Sequence, residues 1–97
     1  MARLSLGDAL LGLGSAAEAG TEFARATAGF RALGKSYWEP LAVARHGDAL
    51  AAAGDLPRAR ERWTLALRAL STIDRAEAGP LRAKLAATTP ATPWRRL

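Results

Sequence analysis

The chain has no cysteine, one histidine, one valine and one isoleucine among its 97 residues. Without cysteine there is neither a disulfide framework nor a thiolate metal site. A single histidine, His46, has no second His or Cys to complete a metal centre or a nucleophilic triad. Scarce β-branched residues argue against strands. The abundant Ala and Leu, the strongest helix formers, point to an all-α chain. No apolar run approaches the ~20 residues that a membrane-spanning helix needs. The start, MARLSLGDALLGLG, is apolar but broken by glycines, and no small-residue cleavage pattern follows it. A signal peptide is therefore not expected, and the expected location is the cytoplasm. Acidic clusters and a one-sign charge run are missing as well. The formal net charge is +5, but the basic residues, mostly arginine, are scattered and interleaved with Asp55 and Glu61. That pattern lacks the continuous basic stripe of a nucleic-acid binder. GLGS, residues 12–15, follows no strand and precedes no Lys-Ser/Thr, so it reads as a helix turn and not a phosphate loop.

What the chain does have is an internal echo at an offset of forty residues. Gly7-Asp8-Ala9-Leu10 returns as Gly47-Asp48-Ala49-Leu50, and Gly14, Ala19, Phe23 and Ala26 return as Gly54, Ala59, Trp63 and Ala66. Small residues return as small and an aromatic as an aromatic, as in a repeated structural unit. Ala16, Ala19, Phe23, Ala26, Phe30 and Leu33 form one helical stripe, and Leu56, Ala59, Trp63, Ala66, Leu70 and Ile73 form the next. A shorter Ala/Leu-rich helix precedes each, over about 3–13 and about 38–53. Gly14 and Gly54 suit the left-handed residue that ends a helix. Ser15 with Glu18, Ser36 with Glu39 and Asp74 with Glu77 read as capping boxes, and Asp55 as an N-cap with Pro57 in the tolerant first turn. The expected organisation is a helical repeat domain over 1–87, with units at about 1–35 and 36–75, a closing helix over 77–87 and a flexible tail over 88–97. Gly7, Gly47, Ala19 and Ala59 are expected where helices approach closely, with Phe23 and Trp63 filling the space between units.

The residues Leu6-Gly7, Leu10, Gly14, Ala19, Phe23, Ala26 and His46-Gly47, Leu50, Gly54, Ala59, Trp63, Ala66 resemble the tetratricopeptide repeat (TPR) pattern. The period is forty where the family's is about thirty-four, and Arg31 and Ser71 stand where a closing proline is usual. The longer unit is similar to the extended C-terminal TPR arrays of actinobacterial transcriptional and signalling regulators. This resemblance implies an α-solenoid of two helix hairpins plus a closing helix. It also implies a concave groove lined by the first helix of each unit. The matching positions are Leu4, Asp8, Leu11 and Gly12, then Leu41, Ala44, Asp48 and Ala51, then Leu81 and Lys84. Asp8 and Asp48 occupy equivalent places, so an acidic stripe is expected, unless the two are solvated or hairpin-supporting groups. Chaperone-tail-binding TPRs carry Lys and Asn where this chain has Ala44 and Asp48, which excludes that mode.

The function implied is non-catalytic. It is capture of a peptide or helix in the groove, or end-to-end stacking, with no cofactor, catalytic residue or metal. The alternative is the C-terminal part of a bacterial transcriptional regulator whose DNA- or nucleotide-binding domains lie elsewhere. Two units are few for a repeat array, and nothing ahead of the first helix covers Leu6, Leu10 and Leu13. Self-association through the first helix pair, or membership of a longer array, is expected to cover them. His46 matches Leu6 and reads as a packing residue. Arg58 and Arg62 read as a solvated face and Trp63 as core. Trp38 is either a staple between units or an exposed anchor, and Trp94 either an inert tail residue or an anchor for a partner.

Overall fold

Three of the chain reversals are built in the same way. Gly14, Gly34 and Gly54 have φ of 82°, 67° and 89°, the left-handed region in which a side chain is strained. Around each, the next residue's N–H closes back five residues: Ser15 to Leu10 O, Lys35 to Phe30 O and Asp55 to Leu50 O, all at 2.8 Å. The glycine N–H itself bonds the carbonyl three residues back, at 3.0–3.1 Å. These are Schellman closures, which satisfy the last carbonyls of a helix while turning the chain. The computed structural model describes residues 2–35, 37–72 and 75–88, with side chains from Gly7 onward except that of Arg75.

Among the described residues every regular element is helical: α1 (Ala2–Gly12), α2 (Ala16–Ala32), α3 (Trp38–Ala52), α4 (Leu56–Leu70) and α5 (Arg75–Ala87). The starts of α2 and α4 are forty residues apart. Helix α5 begins at Arg75, two residues before its expected start, and Pro80 inside it leaves that turn one backbone donor fewer. Of the tail expected over 88–97 only Thr88, in a turn, is described; Trp94 lies outside the described residues.

The caps divide. Asp55 accepts the Arg58 backbone N–H at 3.3 Å, with Pro57 in the first turn. Ser15 has almost the same backbone, φ −90° and ψ 63° against −99° and 70°, yet its side chain makes no capping bond. The expected Ser15–Glu18 capping box is therefore absent. Ser36 and Asp74, the other two expected caps, lie outside the described residues. Glu39 takes Arg31 Nε at 3.0 Å, tying the end of α2 to the start of α3.

Each helix packs on the next, and α1 also touches α3. Two apolar clusters result. One gathers Ala19, Phe23 and Ala26 of α2 with Ala42 and Ala49 of α3. The other gathers Leu41 and Val43 of α3, Ala59, Trp63, Ala66 and Leu70 of α4, and Leu81 of α5. Phe23 is fully buried and Trp63 nearly so. Each aromatic lies against a glycine of the preceding helix. A Cβ on Gly7 would collide with the Phe23 ring, and one on Gly47 would sit 2.6 Å from Trp63 Cδ1 and Nε1. Trp38 is half-buried and touches both clusters, its ring centroid 6.3 Å from Phe30 and 5.3 Å from Tyr37.

Candidate functional site

The first helices of the units, α1 and α3, and the closing helix α5 contribute to one cleft of about 160 Å³. Asp8 comes from α1, Leu41, Ala44 and Asp48 from α3, and Leu81 and Lys84 from α5. Six of the ten positions named by the TPR resemblance therefore line one concavity. Leu11 packs instead beside the Phe23 cluster and Ala51 beside the Trp63 cluster. Gly12 is an exposed residue at the end of α1, and the Leu4 side chain lies outside the described residues.

The cleft is not an acidic stripe. Arg45 Nη1 of α3 donates to Asp8 Oδ2 of α1. Lys84 Nζ of α5 donates to Asp48 Oδ1 of α3 at 2.8 Å. Each aspartate is thus matched by a cation from the next first-helix position, while Glu77 of α5 also borders the cleft. Pairs this exposed contribute only about 0.2–1 kcal/mol each. Their main effect is to fix how neighbouring helices sit. Asp48 does more than Asp8, because its Oδ1 also accepts the Trp63 indole N–H at 3.0 Å. Trp63 is 3% exposed, so without Asp48 a buried donor would be left unpaired, at a cost of about 1–3 kcal/mol. Lys84 Nζ lies 5.9 Å from the Trp63 ring centroid, within cation–π range. Asp48 thus links a core side chain, Trp63, to a cleft residue, Lys84.

Arg45 was not among the sequence candidates. The signal was present but blurred: Arg45 and Lys84 follow their aspartates by 37 and 36 residues, so they miss the forty-residue echo. Arg60, one of the scattered arginines in the sequence, donates through Nη1 to Leu85 O at 2.6 Å and to Thr88 Oγ1 at 2.7 Å. It ties off the end of α5. Arg58 is exposed beside Asp55, 3.6 Å away.

His46 lies across the molecule, half-buried between α2 and α3, its ring 3.7 Å from where a Cβ on Gly20 would stand. Burial, and then the Arg62 guanidinium, hold its pKa below the ordinary histidine value. Both effects favour the neutral ring, which suits a packing residue. Among the described residues no three His, Asp or Glu side chains are gathered as a metal site. No helix among them is long and apolar enough to cross a membrane.

No family model, no curated protein and no solved structure matches the chain.

Proposed function

We propose that the chain is a non-catalytic, cytoplasmic protein–protein interaction module of TPR type, two helix hairpins and a closing helix stacked as a short solenoid. Its groove is the cleft on α1, α3 and α5, which receives a peptide segment or helix of a partner protein. The observation that carries this reading is the convergence of Asp8, Leu41, Ala44, Asp48, Leu81 and Lys84 on one cleft. They come from three helices and from positions tied by the forty-residue echo. Leu41, Ala44 and Leu81 supply an apolar floor. The Asp8–Arg45 and Asp48–Lys84 pairs supply donors and acceptors that a peptide can take over one at a time. A partner suited to such pairs carries both signs of charge around a small apolar anchor. Strongly single-signed peptides would leave one partner of each pair uncompensated.

Peptide display on the immobilised full chain, counter-screened on Ala44→Arg, tests the reading. Ala44 is only half-buried and lines the cleft, so arginine there fills the groove from its exposed side. Peptides of mixed charge that bind the wild-type chain and lose binding to Ala44→Arg are expected. Equal enrichment on both proteins would refute the groove as the binding surface.

A further inference from the structure

Helix α4 carries apolar surface away from the groove. Leu56 and Leu65 are 41% and 51% exposed. With Pro57, Arg60, Glu61 and Thr64 they make one face of the helix and border an open cleft of about 650 Å³. None of the six lines the cleft that holds Asp8 and Asp48. The preceding unit bears the matching face on α2, and there it is nearly bare. Ala16, Ala17, Gly20, Thr21 and Ala24 stand forty residues before the first five. The inward face behaves in the opposite way: Ala19, Phe23 and Ala26 return in kind as Ala59, Trp63 and Ala66, all of them buried. Packing within a unit therefore does not call for the large and charged side chains on the outer face of α4.

The order of those side chains is a second observation. Leu56 and Leu65 stand equally far from a midpoint between Arg60 and Glu61, and so do Pro57 and Thr64. A face arranged in this way complements itself under a two-fold rotation, which is what a closed contact between two copies requires. When α4 lies antiparallel against a copy, Leu56 meets Leu65 of the second copy and Arg60 meets its Glu61. Both charged groups are able to pair. Glu61 is exposed and, among the described residues, makes no ion pair or side-chain hydrogen bond. Arg60 uses one guanidinium nitrogen, Nη1, on Leu85 O and Thr88 Oγ1. Those bonds hold the side chain in place at the border of the cleft and leave Nε and Nη2 as donors.

We propose that this face of α4 binds a second copy of the chain, the two α4 helices meeting antiparallel about a two-fold axis between Arg60 and Glu61. Two Leu56–Leu65 contacts form the apolar ends of the interface, about 14 Å apart along the helix, and two Arg60–Glu61 pairs form its centre. The charges also select the orientation. Parallel helices in register would set arginine on arginine and glutamate on glutamate, which antiparallel helices avoid. One helix pair is a small contact, in the class below about 1,200 Å² that holds weak, transient complexes. The dimer therefore forms and dissociates with concentration. The groove on α1, α3 and α5 plays no part in this contact.

Sedimentation equilibrium of the full chain over a concentration series tests the contact, with circular dichroism confirming that each variant keeps its helicity. A reversible monomer–dimer equilibrium is expected for the wild-type chain. Leu65→Glu, and separately Glu61→Arg, should each weaken it about tenfold or more, since either change acts twice in a two-fold contact. Arg60→Glu should also weaken it, yet Arg60→Glu mixed with Glu61→Arg should form a mixed dimer, because every arginine then faces a glutamate again. A wild-type chain that stays monomeric at every concentration would overturn the proposal. So would a dimer indifferent to Leu65→Glu and Glu61→Arg, because the copies would then meet on another surface, such as α1. Growth beyond the dimer that these variants abolish would overturn it as well, since a two-fold contact closes on itself.

Discussion

Gly47→Ala inserts one methyl group where the structure has no room for it. The new Cβ would lie 2.6 Å from Trp63 Cδ1 and Nε1 and 3.1 Å from the Ala59 carbonyl oxygen. The backbone contact allows little retreat, so the indole must move. Overpacking of this kind costs about 1–3 kcal/mol. Moving the ring also loosens the Nε1–Asp48 bond of 3.0 Å, which adds about 1–3 kcal/mol when a buried donor loses its partner. Replacing glycine in mid-helix returns about 0.5–1 kcal/mol. The net expectation is destabilisation by roughly 2–4 kcal/mol, a Tm lower by about 10–25 °C in a domain of this size. Gly29→Ala in α2 is the matched control, since nothing lies within 4 Å of its Cβ position. It should gain the helix-propensity term alone and raise Tm by a few degrees, at roughly 4–8 °C per kcal/mol. Thermal and urea melts followed by circular dichroism measure both variants. Gly47→Ala as stable as Gly29→Ala would refute the close helix–indole approach.

Asp48→Ala should destabilise by about 1–3 kcal/mol and shift Trp63 emission, while Asp8→Ala, which breaks only an exposed pair, should cost under about 1 kcal/mol in the same urea melts. Asp55→Ala should cost about 1 kcal/mol for the lost N-cap, and Ser15→Ala close to nothing, because Ser15 makes no capping bond. The His46 pKa is lowered in the fold, so between that value and the unfolded ~6.5 the unfolded chain binds more protons and stability rises with pH. Stability should therefore fall as pH drops below about 6.5, and His46→Leu should flatten that part of the profile; an unchanged slope in His46→Leu would assign it to other groups.

The repeat was legible because close packing leaves its mark on residue size. Gly7 and Gly47 must be glycine to admit Phe23 and Trp63, and Gly14 and Gly54 must be glycine to turn left-handed. Those constraints act within one unit, so they recur at one offset. Gly34 does the same work at the end of α2, but it drew no attention because Asp74 stands forty residues on. Charge pairing was not legible. Arg45 and Lys84 reach their aspartates from positions a residue out of step, since long side chains tolerate a shift that a packed ring does not. The groove residues were found through the resemblance, whereas the neutralisation of Asp8 and Asp48 depended on how α1, α3 and α5 sit together.

The groove is tested most directly by an amide chemical-shift titration of the full chain with a mixed-charge peptide from the display selection. Shifts confined to Leu41, Ala44, Arg45, Asp48, Leu81 and Lys84, with the Trp63 indole N–H moving as Asp48 is engaged, are the predicted result. Shifts centred on the outer faces of α2 and α4, with those residues unmoved, would contradict it.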